Sequence, residues 1–563
     1  MYKDPIKRSR AQESRSAIER LYIIMRHLFI RGGYKPLGLS GESLIQALLT
    51  LRPEIYGLIA DNEKVELDGL LYVMDRLPKG IEECRFIRLI SREGLDKTNF
   101  EAIIPLKRRR NCYRVDHDQM YIELTRGRSD IYDILTHLTF IYIEAEKIKR
   151  HSLDQKGRKT QAWLKLEDII TKEDQGKEFN REIAYTYLST AIGRTYEETA
   201  KAGDSFYENK NRNSLFHTIY WLGKLAIDEE TGDGDREINF SSTLRERIGH
   251  HVYGDLWANN IKNYLSENDL LQRPIHIISS NLHSVVNALY GYKVLRNSLK
   301  TNKLEIIAKQ LSLVKNEKLR ERVKKYARNN GLFEIPDQSG TNLAVQIIDT
   351  GKMDIDALPA EISVDKKKIA DHKPVILVMD YAFGEQAFET MDELLRPFEK
   401  KGKEYPLKVD SISIMGKAGI LTGQKSDIMV ATSHIFEGTA DNYPIDNEFS
   451  KQDFEGHNLQ VFEGPMVTVL GTSLQNKDVL EYFLKSSWKA IGLEMEGAHY
   501  QKAIQSASKI RNSIKKTVKL RYAYYASDNP LITGKTLASG SLGEDGVRPT
   551  YLITVQILSK ILS

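Results

Sequence analysis

The segment Pro374-Val375-Ile376-Leu377-Val378-Met379 constrains the fold of this chain most strongly. Five consecutive apolar residues after a proline cannot alternate between core and water, so they read as a strand covered on both faces. Further strand candidates lie at 409–415, 428–431, 466–470, 490–493 and 519–525, and helix candidates alternate with them at 386–400, 476–486, 497–510 and 549–562. Strands alternating with helices predict an α/β domain with a twisted, partly closed central sheet between helical layers.

The residues before this region have another texture. Ile18, Leu21, Tyr22, Met25, Leu28 and Phe29 recur at helical spacing. A second helix is expected after Ser40, which can cap it, and a third after Ser129 and Asp130, running through Leu135, Leu138 and Ile141. Amphipathic helices are expected at 181–192, 214–228, 254–266 and 281–299, whereas 274–278 suits either a strand or a helix end. The expected organisation is a mainly α-helical domain over 1–345, a linker over 346–372 and the α/β domain over 373–563.

Charge and composition exclude several classes. With 82 basic against 77 acidic residues, the net charge of +5 is too weak for a nucleic-acid polymer partner. No apolar run approaches the roughly 20 residues of a membrane span, and the N-terminus lacks a signal-peptide core, so neither membrane nor secretion is expected. Cys84 and Cys112 are too few for a disulfide framework, which fits a cytoplasmic protein. Asp133, His137 and Glu144 share a helical face, but a satisfied polar cluster explains them as well as a metal would, and no metal is expected. Lys107–Arg110, Arg114, Arg126 and Arg128 concentrate basic charge that suits phosphate or a solvated face.

Three elements of the α/β region carry chemistry. The 490–493 strand leads into Glu494-Met495-Glu496, where two carboxylates flank a thioether. Carboxylates accept from adjacent sugar hydroxyls, and a thioether can cover the apolar face of a ribose. The 519–525 strand ends in Ser527-Asp528-Asn529-Pro530, placing an acid at another strand end, where burial can keep it protonated. Between 413 and 427, a strand runs into Gly416-Lys417-Ala418-Gly419, whose small residues let a ligand approach the backbone.

In this order and at these separations, the Gly416–Asp427 segment, the Leu493-Glu494-Met495-Glu496 tetrad and the Ser527-Asp528 pair resemble the purine nucleoside phosphorylase/uridine phosphorylase superfamily. They are most similar to its methylthioadenosine/S-adenosylhomocysteine nucleosidases and AMP nucleosidases. The resemblance covers about 190 residues and implies a phosphorylase-like three-layer fold. It further implies Met495 and Glu496 at the ribose, Asp528 as general acid at the purine, Ser527 positioning Asp528, and a glutamate after the first strand activating water. Glu385, at the head of the 386–400 helix, is the candidate for that base. Glu494, Gly416, Lys417, Ala418, Gly419 and Phe436 complete the expected substrate-binding set, with Phe436 and Tyr443 as candidates to stack on a base.

The implied reaction is hydrolysis of a purine nucleoside or nucleotide, in a homo-oligomer and without a cofactor. The superfamily's phosphorylases carry an arginine and a serine or threonine where this chain has Ile414 and Lys417, which weakens the case for inorganic phosphate as co-substrate. Lys417 suits a phosphate group or a pairing with Glu385. A phosphate-dependent phosphorylase and a non-catalytic nucleotide sensor or scaffold stay open as alternatives. The region before the α/β domain parallels the additional domain of AMP nucleosidases and suits a regulatory or assembly role.

Overall fold

A computed structural model describes residues 8–108, 110–439, 441–533 and 542–563. The chain divides into two compact units: the first comprises residues up to 125, 130–250 and 473–479, and the second 126–129, 251–472 and 480–563.

The first unit is not only helical. Helices Arg10–Arg31, Arg181–Ile192 and Leu215–Thr231 have the expected apolar stripes, but six short strands form a mixed sheet beside them. These are β1 (Gly33–Tyr34), β2 (Phe86–Ile90), β3 (Ala102–Ile103), β4 (Cys112–Asp116), β5 (Gln119–Glu123) and β6 (Glu237–Phe240), in the order β1-β6-β2-β5-β4-β3. Strands of two to five residues leave too little periodicity to register in the sequence. Ser40 does not cap its helix, which spans Leu39–Leu51 and begins after Gly38. The basic run is neutralised within the unit: Arg110 is buried against Asp130 at 2.7 Å, Arg108 meets Asp133 at 2.9 Å, and Arg114 meets Glu83 at 2.8 Å. Arg109 lies outside the described residues. Asp133 is thus committed to arginines, and Glu144 to Lys147 at 2.8 Å.

The second unit is built on one large sheet. Its strands are β7 (Ile275–Ser279), β8 (Leu332–Ile335), β9 (Val345–Asp349), β10 (Val375–Met379), β13 (Val409–Ile420), β14 (Ile428–Phe436), β15 (Asn442–Pro444), β16 (Val461–Thr468), β17 (Gly492–Glu494) and β18 (Lys519–Asp528). A separate hairpin pairs β11 (Phe398–Lys400) with β12 (Lys403–Tyr405). The sheet order is β15-β14-β16-β17-β13-β7-β10-β9-β8, and β18 pairs with both β13 and β14. Strands β13, β17, β16, β14 and β18 therefore close on themselves, while β7 to β10 extend as an open wing.

The apolar run that opened the analysis is β10, residue for residue. Val375, Leu377 and Met379 point into a core shared with Ile277, Ile347 and Ile412, whereas Ile376 and Val378 point into a second core with Ile278, Ile348 and Met415. Helices Val252–Glu267, Gln386–Leu394 and Gly497–Gln505 contribute to the first core, and helices Leu304–Ser312 and Val547–Leu562 to the second. Two covered faces explain why no polar alternation interrupts β10.

The domain boundaries differ from those expected. The ambiguous 274–278 segment is β7, lying between β10 and β13 and parallel to both, so the α/β unit begins near His251 rather than at 373. Residues 346–372 are not a linker, because Val345–Asp349 pairs along the whole of β10 as β9. One buried strand among helices is too short to announce its sheet; its partners lie 100 or more residues downstream. The 386–400 helix stops at Leu394, since Pro397 disfavours helical geometry at the residue before it. Among the described residues, no helix is long and apolar enough to cross a membrane.

A fragment covering 373–563 lacks β7 and β9 and exposes both flanks of β10. It is expected to show no cooperative thermal transition by circular dichroism, whereas the full chain shows one.

Candidate active site

Register places the chemical residues at one end of the sheet. Gly419 on β13 is paired with Leu493 of β17 on one side and Asp528 of β18 on the other. Two inter-strand steps put Leu493 and Asp528 about 10 Å apart, a span comparable to a nucleoside. The parallel strands β7, β10 and β18 direct Asn281, Tyr381 and Asp528 from their carboxyl ends.

Asp528 is half-buried at the end of β18. Its Oδ1 accepts from Ser527 Oγ at 2.6 Å, and the same hydroxyl lies 3.1 Å from the carbonyl of Ala418. Its Oδ2 is buried without a hydrogen-bond partner. Burial raises the Asp528 pKa, while the Ser527 hydroxyl and the charge of Lys417 oppose the rise. An unpartnered, desolvated carboxyl oxygen is where a proton would sit. Asn529 donates to the carbonyl of Gly423 at 3.0 Å and ties this strand end to the 421–427 turn.

The glycine segment differs from expectation in form. Gly416, Lys417, Ala418 and Gly419 lie within β13 in extended backbone, and the turn comes later. Gly416 leaves room: a methyl added there would sit 3.7 Å from the Tyr381 ring, an ordinary contact. Lys417 is exposed. The cation that pairs with Glu385 is Arg128, not Lys417, at 3.1 Å.

Beyond β17, the two glutamates divide their work. Glu494 is 3% exposed and accepts from Thr468 Oγ1 and from the backbone N–H groups of Glu496 and Gly497. Both its oxygens are held by protein donors at a helix start, so Glu494 shapes the Met495–Glu496 turn instead of offering an acceptor to a ligand. Burial pushes its carboxyl up to about 7 against those donors. Glu496 and Met495 are partly exposed. Gly384 N–H donates to Glu496 Oε1 at 3.0 Å. Desolvation first, then the neighbouring Glu494, pushes the Glu496 carboxyl up to about 8.

That hydrogen bond joins residues 112 positions apart. Gly384 has φ +55, which favours glycine, and an added methyl would lie 2.3 Å from Ser129 Oγ. The next residue, Glu385, donates its N–H to Ser129 Oγ at 2.9 Å. Ser129 therefore spends its hydroxyl on Glu385 and is not the cap expected from its sequence. Glu385, Gly384, Met495 and Glu496 thus form one cluster: a methyl at Gly384 would lie 4.0 Å from Met495 Cε.

Aromatic groups border the cluster. Phe436, at the end of β14, is packed edge-on by Tyr443 at 5.7 Å and His499 at 4.8 Å. Tyr381, 41% exposed, and Asn281, whose Nδ2 is 3.5 Å from the Tyr381 hydroxyl, were not singled out from the sequence for this site. The available signal was the placement of both just after apolar runs, at 275–279 and 375–379. Among the described residues, the groups close enough to share a metal ion are Glu82–Glu83–His217 and Asp116–His117–Asp118, both in the first unit.

The chain matches the model of a family of unknown function, DUF6909, over residues 42–300 and 304–563, and it belongs to that family. No curated protein matches it. Solved structures similar to the chain include futalosine hydrolase of Helicobacter pylori, 14% identical over 52% of this chain and 99% of that one, with a TM-score of 0.31. The 5′-methylthioadenosine/S-adenosyl homocysteine nucleosidase of Campylobacter jejuni is 11% identical over 51% and 99%, with a TM-score of 0.30. The AMP nucleosidase of Bacteroides thetaiotaomicron is 12% identical over 55% and 97%, also at 0.30. Likenesses this remote assign no activity.

Burial of Glu496 sets a pH test. A carboxyl raised to about 8 in the folded chain holds its proton more tightly there than when unfolded, where 4.5 applies. The associated stability is complete below about 4.5 and is lost as pH rises towards 8. Glu496→Gln, neutral throughout, is expected to melt like the wild type at pH 4.5 and above it at pH 8; thermal melts across this range check the crossover.

Proposed function

We propose that this member of the family is a purine nucleosidase, which hydrolyses the N-glycosidic bond of a purine nucleoside or nucleotide to free base and ribose or ribose phosphate. The observation that carries the reading is the pairing of Gly419 with Asp528 on one side and Leu493 on the other. An unpartnered acid is thereby held a nucleoside's length from the Glu385–Met495–Glu496 cluster.

Breaking the bond between the sugar C1′ and the base nitrogen leaves positive character on the sugar and negative charge on the base. Asp528 delivers a proton to a ring nitrogen of the leaving purine, with Ser527 fixing its other oxygen. Glu496 accepts from ribose hydroxyls, and Met495 lies against the sugar face. Glu385 takes a proton from water as the water oxygen bonds to C1′. Return of that proton through solvent to Asp528 closes the cycle, so the net reaction consumes one water.

Hydrolysis is favoured over phosphorolysis by charge. A phosphate dianion attacking C1′ would approach the Glu385 carboxylate, and like charges at such distances repel. Lys417 is exposed near Asp528, at the base end of this arrangement, where it does not offset that repulsion.

Incubation with AMP, adenosine, inosine, guanosine and methylthioadenosine is expected to release free base without phosphate, as followed by chromatography. Asp528→Asn is expected to lower kcat by about 10²–10⁴-fold. Ribose 1-phosphate formed only with added phosphate would decide for a phosphorylase, and tight binding of these compounds without base release would decide for a sensor.

A further inference from the structure

The residues 126–129 are remote in sequence from the sheet yet group with the second unit. Three of the four engage the loop that carries Glu385, and the fourth, Gly127, lies against the helix that follows it. The Arg126 guanidinium lies over the Phe383 ring at 4.9 Å. Gly127, at φ +70, comes so close to the helix Gln386–Leu394 that an added methyl would sit 2.9 Å from Glu389 Oε1. Arg128 pairs with Glu385 Oε1 at 3.1 Å, and Ser129 Oγ accepts the Glu385 N–H at 2.9 Å. Main chain and carboxylate of one residue are thus gripped by neighbouring side chains of a single tetrapeptide.

Resting on the nucleosidase reading, we propose that Arg128 is a positioning residue which keeps the Glu385 carboxylate ionised and aimed at the attacking water, within a clasp formed by residues 126–129. An isolated surface arginine on a carboxylate contributes little. Here the pair is mostly shielded, with side-chain exposures of 22% and 14%, so the charge acts through a poorly screened environment.

The surroundings make that cation necessary. Glu389, one helical turn along, is buried with Oε1 unpartnered, and Glu496 lies across Gly384. Both are acids packed close to Glu385, and carboxylates so close together repel unless a cation is held beside them. Other charged groups on the packed helices are engaged elsewhere: Lys262 donates to the carbonyl of Glu393 at 2.6 Å, and Lys502 lies over the Phe388 ring at 5.2 Å. Burial first, then the Glu385 charge, raise the Glu389 pKa, and Arg128 opposes the rise.

The test is the pH profile of kcat/KM for base release by the full chain, whose acid limb reports ionisation of the base. Arg128→Gln is expected to move that limb up by about one unit or more, and Arg128→Lys to return it close to the wild type. Ser129→Ala is expected to lower kcat and leave the limb in place, because it loosens Glu385 without changing charge. A limb unmoved in a folded, active Arg128→Gln variant overturns the proposal. A second readout separates this failure from failure of the nucleosidase reading. In protein labelled with [5-¹³C]glutamate, with Glu385→Gln identifying the resonance, the Glu385 carboxyl is expected to titrate about one unit higher in Arg128→Gln than in the wild type. An unchanged titration overturns the electrostatic role whether or not any base is released, whereas absence of release from the wild type alone overturns the reaction.

Discussion

The N–H of Gly384 reaching the carboxylate of Glu496 is the contact on which the candidate site depends. It fixes the loop after β10 against the turn after β17, two elements that are not neighbours in the sheet. Only glycine fits: the backbone is left-handed, and the space a methyl would need is filled by the Ser129 hydroxyl. Glu494 supports the same contact from below by accepting the N–H groups of Glu496 and Gly497. A chain of hydrogen bonds from Thr468 through Glu494 to the helix start therefore determines where Glu496 points, and Glu496 determines where the loop with Glu385 lies.

Placing three carboxyl groups in a desolvated neighbourhood is costly, and the structure meets the cost in different ways at each. Glu494 is given donors, Glu385 is given a guanidinium, and Glu496 has one backbone donor and partial access to solvent. Asp528 stands apart, with one oxygen held by Ser527 and the other unpartnered. The proposed acid thus sits where burial favours its neutral form, whereas the proposed base is held beside a guanidinium. Such a separation within one fold is what acid–base chemistry at a single pH requires.

Much of this was legible in the residues. The strand β10 announced itself because burial on both faces removes polar alternation, and Asp528, Glu496 and Glu385, the residues proposed for chemistry, lie at or after the ends of β18, β17 and β10. What was hidden has a common cause, namely dependence on distant chain. Strand β7 has only five residues, and its meaning comes from β10 and β13. The short strands of the first unit lack periodicity for the same reason. Ser129 read as a helix cap because local sequence reports only local hydrogen bonds, whereas its hydroxyl serves a residue 256 positions away.

Arg128 shows the same limit from the side of charge. In the sequence it belongs to a basic concentration with Arg108, Arg110 and Arg114, and the natural expectation for such a group is shared solvent or a shared anion. The fold instead separates them. Arg108 and Arg110 are consumed by Asp133 and Asp130 within the first unit, while Arg128 is assigned to Glu385 in the second. Two residues of spacing, from Arg126 to Arg128, decide between stacking on a ring and pairing with a carboxylate. The proposed base, set among other acids, is held beside a fixed cation, and β10 with its following loop supplies none close to Glu385. That cation comes instead from residues 126–129, so the setting of Glu385 depends on chain that the sheet of the second unit does not contain.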